Sequence, residues 1–488
     1  MGLDRKLLAV AGVVVLGTIM SILDTTVVNV AINTLGREFD AQLTSIQWVV
    51  TGYTLALATV IPLTGWGADR FGTKRIYMTS LVLFLAGSAL CGMAWSEGSL
   101  IGFRVLQGLG GGMIMPAGMT ILTHAAGPER VGRVMSVIGV PMLIGPIVGP
   151  ILGGWLVDDV SWRWIFFINV PIGLCALVAA ARVLPRDTSQ PHHRLDVLGL
   201  VLLSPSLAAM IYGLAESNSH GGFGSARVLV PLLGGAGLLA LFIWHALHAS
   251  DPLIDLRLFV NRTFAAAAGT FFLFAIAVFG SMLLLPLYFQ AVRGESVLDS
   301  GLLVAPQGFG AMITMPLAGV LTDRIGPGRV VRFGMLLIVL GTVGLTQIGG
   351  DSSYWLIGAD LFVLGLGMGS SMMPTMSAAM QTLRKAAVAR ATTTLNILRN
   401  LGASIGTAVL SVLLTHELTS RLPQAGGGLN RLHGVSAAAR ERVAPTLGDA
   451  FGATFWWAVA LLALAFAAAF LLPTTKPARG EAESVVPA

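Results

Sequence analysis

Charged residues are scarce in this sequence. Asp, Glu, Lys and Arg make up 11% of its 488 residues, whereas soluble domains carry about 25%. Hydrophobic residues make up 55%, and the mean hydropathy is +0.80. Apolar runs of about 20 residues, the length that a helix needs to cross a bilayer, recur along the chain. The composition therefore excludes a soluble domain and predicts an all-α integral membrane protein.

Cysteine is also rare. Cys91 and Cys175 both lie inside apolar runs, which is typical of small packing residues and not of a disulfide framework or a metal site. The sequence also lacks a nucleophile elbow, a Walker loop and His/Cys metal spacing. We therefore expect a protein that is not an enzyme, that uses no cofactor or metal ion, and that ATP does not drive.

The apolar runs predict fourteen membrane spans. In chain order, their expected limits are 8–32, 45–64, 76–95, 99–122, 133–156, 164–184, 196–215, 227–247, 264–289, 299–321, 331–349, 354–380, 391–415 and 451–472.

The basic residues indicate the orientation of these spans. With the N-terminus inside, 20 of the 30 Lys and Arg fall in cytoplasmic segments and 8 in outer segments, while Arg104 and Arg399 lie within spans. Cytoplasmic loops are enriched in Lys and Arg, so both termini are expected to be cytoplasmic. The same bias accounts for the pI of about 9.7. We therefore expect the lipid bilayer, and not nucleic acid, as the partner.

A charged motif occurs twice. GWGADRFGTKRI at 65–76 joins the second and third spans, and GVLTDRIGPGRV at 319–330 joins the tenth and eleventh. The matching residues are Gly65, Asp69, Arg70, Gly72 and Arg75 in the first copy, and Gly319, Asp323, Arg324, Gly326 and Arg329 in the second. Internal repeats are the usual architecture of secondary transporters. Because the copies are eight spans apart instead of six, two extra spans are predicted between two six-helix halves. The expected segments are 1–186, 187–262, 263–473 and a cytoplasmic tail, 474–488.

The repeated motif has two interpretations. Gly65 and Gly72 are expected to let the chain reverse tightly, and Asp69 can pair with neighbouring cations, including Lys74, or with a helix N-terminus. Such a cluster can act as a latch between the two halves. The alternative is a basic cytoplasmic loop with no further role, but the doubled glycine and aspartate spacing favours the latch.

Several motifs together resemble the major facilitator superfamily. The two turns resemble its loop signature, RVLQGLGGG at 104–112 its fourth-helix motif, and GVPMLIGPIVGPILGGW at 139–155 the fifth-helix motif of its antiporters. LDTTVVNVAI at 23–32 and WRWIFFINVPIG at 162–173 resemble its fourteen-helix drug:proton antiporter branch, although Asn33 replaces a usual proline. The resemblance implies two pseudo-symmetric six-helix bundles plus two central helices. It also implies proton-coupled export of lipophilic compounds across a bacterial cytoplasmic membrane by alternating access.

The fifth span contains glycine and proline at regular spacing. Glycines every four residues make a flat face for close helix contact, and prolines bend a helix. Plain packing and a gating role both explain this pattern, and the resemblance favours gating. The motif residues are Gly145, Pro146, Gly149, Pro150, Gly153 and Gly154.

Ionisable residues within the spans are the main candidates for mechanism, because burying each in lipid is costly. Asp24 and Arg104 lie at similar expected depths and can meet, as a proton-coupling device or as a permanent structural pair. Asp360 can correspond to Arg104 across the repeat, or it can be an interfacial residue. Arg399 can touch substrate or hold a helix contact.

Substrate-contacting residues are less well defined by the sequence. Methionine surfaces adapt to varied apolar ligands, although methionine also fills gaps in packed bundles. Scarce intramembrane acids favour lipophilic substrates that are neutral or singly charged, and a monomer is expected. Export of an endogenous lipid, siderophore or secondary metabolite, and a non-transporting sensor or scaffold, are the alternatives. The candidate contacts are Asn29, Gln107, Met113, Met372, Met373 and Met376.

Overall fold

A computed structural model of the chain gives its fold. The structure describes residues 5–41, 46, 48–126, 148–149, 152–185, 195–219, 224–249, 252–381, 383, 387–421 and 437–474. Within these residues there are helices but no β-strand, and 13 helical segments are long and apolar enough to cross a membrane. They match thirteen of the fourteen predicted spans. Most of the fifth predicted span, 133–156, lies outside the described residues.

The first part of the chain forms long helices joined by short turns. They are α1 (Arg5–Glu38), α2 (Trp48–Phe71), α3 (Thr73–Gly92), α4 (Glu97–Ala126), the short α5 (Trp164–Phe167) and α6 (Asn169–Val183), with a π-helical turn at Leu156–Val160. α5 and α6 together form one membrane span.

The later part continues in the same way. Its helices are α7 (Val197–Ser219), α8 (Ala226–His248), α9 (Arg262–Ala291), α10 (Val297–Ile325), α11 (Pro327–Leu345), α12 (Tyr354–Gln381), α13 (Val388–Arg421) and α14 (Ala437–Ala469), with a 3₁₀ turn at Leu256–Val260 before α9.

Helix packing repeats between the two parts. α4 contacts α1, α2 and α3, and α12 contacts α9, α10 and α11 in the same arrangement. α6 packs on α1 and α3 as α14 packs on α9 and α11. α13, a helix of the later part, also contacts α2 and α4 of the first part. α7 packs on both α2 and α13, and α8 packs on α7. The two predicted extra helices therefore lie beside the junction of the two groups.

Glycine contacts show how the halves correspond. A Cβ on Gly108 would lie 2.5 Å from the Tyr53 carbonyl oxygen, and one on Gly365 would collide with the Gln307 carbonyl. Tyr53 and Gln307 are 254 residues apart, the same offset as Gly65 and Gly319. Gly108 of α4 and Gly365 of α12 make equivalent contacts and are 257 residues apart. Equivalent positions on α4 and α12 are therefore related by an offset of 257.

The doubled motif contains one turn residue per copy, not two. Gly72 (φ 91°, ψ 144°) separates α2 from α3, and Gly326 (φ 87°, ψ 150°) separates α10 from α11. Glycine adopts these positive φ values at little cost. The expectation that Gly65 also forms the turn was wrong, because Gly65 lies inside α2 and Gly319 inside α10. We call the end of the protein that carries Gly72 and Gly326 the turn end.

Candidate functional site

A buried ion pair joins α1 to α4. Arg104 Nη1 lies 2.6 Å from Asp24 Oδ2, and the two side chains are 1% and 0% exposed. The sequence predicted that these residues could meet, and the structure brings them together. A buried charge pair is tolerated only when further hydrogen bonds satisfy its remaining polar atoms.

Polar neighbours supply those hydrogen bonds. Gln107 Nε2 and Asn169 Nδ2 donate to Asp24 Oδ1 at 2.7 and 3.1 Å. Arg104 donates through Nη1 to Gln107 Oε1 at 2.8 Å and through Nε to the Val49 carbonyl at 3.1 Å. The network therefore joins α1, α2, α4 and α6 around one carboxylate.

The surroundings of the pair hold it away from water. The Arg104 guanidinium lies 4.0 Å from the centre of the Tyr53 ring, a cation–π distance. Ser88 accepts from Asn169 Nδ2 at 3.0 Å and donates to the Phe166 carbonyl at 2.9 Å. Both charged side chains are fully buried, so a change in the charge of Asp24 is felt directly by Arg104.

Close helix approach positions Gln107. A Cβ on Gly87 of α3 would lie 2.6 Å from the Gln107 Cα and nitrogen, so only glycine allows this approach. Gln107 was predicted to contact substrate, but it is fully buried and its amide is bonded to Asp24 and Arg104. It belongs to the ion-pair network. The sequence signal for this role was its spacing of three residues from Arg104 on one helix face.

In the second half an apolar residue stands at the position that corresponds to Arg104. The offset of 257 places Leu361, which is buried, at the position of Arg104. Asp360 is one residue away and so points about 100° around the helix. Its carboxylate lies against Gly344 of α11. The expected correspondence between Asp360 and Arg104 is therefore incorrect, because their helix registers differ by one residue.

Arg399 lies on α13 at the junction of the two halves. Its Nη1 contacts Met115 Sδ of α4 at 3.0 Å, and its Nη2 lies 3.5 Å from Asn400 Oδ1. The side chain is partly buried, and within the described residues it forms no ion pair with a carboxylate. The structure does not bring it together with Asp360.

Asp69 forms an ion pair with Arg390 at the turn end. Arg390 Nε lies 3.5 Å from Asp69 Oδ2, and each side chain is 17% exposed. Asp69 belongs to α2 and Arg390 to α13, so the contact crosses between the halves. Arg390 was read from the sequence only as a basic residue that indicates topology, and no local pattern singled it out as a partner.

Other cations at the turn end cap helices. Lys74 Nζ donates to the Ala181 and Leu184 carbonyls at 2.8 and 2.7 Å, where α6 ends. Arg332 donates to the Phe470 carbonyl at 3.1 Å, just after α14. Cations near helix C-termini satisfy the last carbonyls and oppose the negative end of the helix dipole. The remaining motif residues Arg70, Arg75, Asp323, Arg324 and Arg329 lie around the same turns.

Two of the three described glycines of the fifth span, Gly149 and Gly153, pack on α1. A Cβ on Gly149 would collide with the Thr26 hydroxyl, and one on Gly153 would lie 3.1 Å from Val27 Cγ1. A Cβ on Gly154 would meet nothing within 4 Å. The predicted motif residues Gly145, Pro146 and Pro150 lie outside the described residues.

The methionine candidates differ in exposure. Met373 and Met376 are 0% and 2% exposed and belong to the apolar core, Met113 is 9% exposed, and Met372 is partly buried. The structure therefore does not favour Met373 or Met376 as a substrate surface. The side chain of Asn29 lies outside the described part of the structure.

Comparisons with known proteins agree with this architecture. A model described as Major Facilitator Superfamily matches residues 14–407. The chain is 47% identical over 418 residues to the multidrug resistance protein B homolog of Mycobacterium tuberculosis (strain ATCC 25618 / H37Rv), which covers 85% of this chain and 77% of that protein. It is 30% identical over 409 residues to the multidrug export protein EmrB of Escherichia coli (strain K12), covering 82% and 79%.

Solved structures add evidence on the fold alone. The proton:xylose symporter XylE bound to 6-bromo-6-deoxy-D-glucose matches with a TM-score of 0.60 over 93% of this chain and 94% of that chain. The sequence identity is 13%.

Proposed function

Because the chain belongs to the major facilitator superfamily, and is thus a multi-pass membrane transporter and not an enzyme, we propose that it is a proton-driven exporter of lipophilic compounds. The relatives named for multidrug resistance and multidrug export support an efflux role. The observation that carries the proton coupling is the buried Asp24–Arg104 pair.

Protonation of Asp24 is the proposed coupling step. A proton that reaches Asp24 from the outer side removes the charge that Arg104 meets at 2.6 Å. Gln107 and Asn169 can still hydrogen-bond the neutral carboxyl group. Protonation therefore weakens the attraction between α1 and α4 without removing all their contacts. Release of the proton on the cytoplasmic side restores the pair.

The turn end is the proposed cytoplasmic gate. The Asp69–Arg390 pair holds α2 to α13, and rocking of the halves must break it when the cytoplasmic side opens. A partly exposed pair is worth roughly 1 kcal/mol or less, so it can be broken in every transport cycle. Gly149 and Gly153 bring the fifth span against α1, which supports a role for that span in closing the cavity.

Transport in proteoliposomes tests this function. The protein is reconstituted with its cytoplasmic side facing the outside of vesicles that have an acidic lumen. Three fluorescent probes are added outside: 1-anilinonaphthalene-8-sulfonate, the neutral N-phenyl-1-naphthylamine, and the cation ethidium. We expect at least one probe to accumulate in the lumen only while the pH gradient is present, and a protonophore to abolish that accumulation. If the gradient changes the accumulation of none of them, proton-driven export of this substrate class is wrong.

A further inference from the structure

Arg399 is an intramembrane cation whose charge no described protein group neutralises. Its described contacts are Met115 Sδ and Asn400 Oδ1. A thioether sulfur is a weak acceptor, whereas a guanidinium carries five N–H donors. Asn400 Nδ2 is buried and has no hydrogen-bond partner. The site therefore has an excess of donors and too few acceptors.

Asp24 and Asp360, the two candidate coupling carboxylates, do not pair with Arg399. Asp24 is fully engaged with Arg104, Gln107 and Asn169, and Arg104 lies 11 residues from Met115, or roughly 16 Å along α4. Asp360 faces α11. The sequence of the predicted fifth span, 133–156, contains no Asp or Glu.

The position of Arg399 suits a ligand. It lies nine residues from Arg390, or about 13 Å from the turn end along α13. It contacts α4 of the other half, so it faces the junction that separates when the halves rock. Its side chain is partly exposed, unlike that of Arg104. A charge that is partly withdrawn from water and has no partner of opposite sign is costly, and a bound anion would reduce that cost.

We propose that Arg399 and Asn400 bind the anionic head group of a lipophilic substrate, such as a sulfonate or a carboxylate. This inference rests on the proposed export function and specifies its substrate class. The apolar body of the substrate packs against the surrounding side chains, including Met115, while its charge takes the free donors of Arg399. Of the neutral and singly charged compounds expected from the sequence, monoanions are then preferred.

A matched pair of probes tests the site. 1-Anilinonaphthalene-8-sulfonate and N-phenyl-1-naphthylamine share one ring system and differ by the sulfonate. Both are titrated by fluorescence against the full-length protein in phosphatidylcholine nanodiscs, with empty nanodiscs subtracted. We expect Arg399→Gln to weaken sulfonate binding by about tenfold or more, because it removes charge-assisted hydrogen bonds, and to change binding of the neutral probe less than about twofold. Arg399→Lys should retain part of the preference.

Stability provides an independent readout. The sulfonate probe should raise the thermal stability of the wild-type protein and not that of Arg399→Gln, since a ligand stabilises only the state that binds it. Arg163→Gln, at a partly exposed pair with Glu38, is the control and should bind both probes as the wild type does. The anion site would be overturned if Arg399→Gln lost the same affinity for both probes, or if it lost no affinity for the sulfonate.

Two further arms separate the alternatives. Phosphatidylglycerol makes the nanodisc surface negative, so it should weaken sulfonate binding to the wild type and to Arg399→Gln by a similar factor. If it instead removes the difference between the two proteins, a lipid head group occupies the site and the proposal is wrong. In the transport assay, gradient-driven accumulation of ethidium or the neutral probe but not of the sulfonate would overturn the anion site and leave the export function standing. Failure of all three probes would contradict the export function itself.

Discussion

Asp69 of α2 and Arg390 of α13 form an ion pair between the two halves of the transporter, with 3.5 Å between Oδ2 and Nε. The two residues are 321 positions apart in the chain. Their contact depends on how the halves dock, so it reports directly on closure of the turn end.

Removing this pair should open the turn end more often. For Asp69→Asn we expect faster amide hydrogen exchange at the end of α2 and the start of α13, because the attraction that holds them is lost. Glu417→Gln is the control, since Glu417 pairs with Arg421 of its own helix at 3.0 Å. Hydrogen exchange with mass spectrometry measures both variants. Unchanged exchange at the turn end in Asp69→Asn would show that the pair is not a latch.

The Asp24–Arg104 pair should respond very differently to single and double substitution. Arg104→Gln leaves the Asp24 carboxylate buried without its cation, and such a loss costs about 3 to 5 kcal/mol. The double variant Asp24→Asn with Arg104→Gln removes both charges, so it should be more stable than Arg104→Gln alone. Thermal unfolding in detergent is the measurement. If the double variant is less stable than each single variant, the unpaired Asp24 carboxylate is not what destabilises Arg104→Gln.

Close packing of α2 and α4 gives a third prediction. Gly108→Ala places a Cβ 2.5 Å from the Tyr53 carbonyl oxygen, so the helices must move apart and thermal stability should fall. Gly102→Ala on the same helix meets nothing within 4 Å and should be neutral or slightly stabilising, because alanine favours the helix by up to about 1 kcal/mol. Equal melting temperatures for the two variants would contradict this packing.

The sequence predicted the fold well because lipid leaves few choices. Only helices satisfy their own backbone in the bilayer core over a short segment, so each apolar run predicts a helix, and thirteen such helices are described. Gly72 and Gly326 marked the repeat, and the structure gives them similar positive φ values, 91° and 87°.

Details of the site were harder to predict, for two physical reasons. First, the residue of α12 that corresponds to Arg104 is Leu361. Aligning the two helices one residue out of register selects Asp360 instead, and Asp360 lies on another helix face. Second, long-range contacts such as Asp69–Arg390 and Arg399–Met115 depend on helix docking and have no local signal. Asp24 and Arg104 could be paired because each is a rare ionisable residue at similar depth in neighbouring spans.

Asp24→Asn tests whether Asp24 carries the coupling proton, in proteoliposomes with an imposed pH gradient and a probe that the wild type accumulates. Asn cannot take up or release a proton, so gradient-driven accumulation should disappear, while exchange of labelled for unlabelled substrate without a gradient should remain. Asp360→Asn, a carboxylate on α12 away from the ion pair, should retain both activities. Full gradient-driven accumulation by Asp24→Asn would show that Asp24 does not carry the coupling proton.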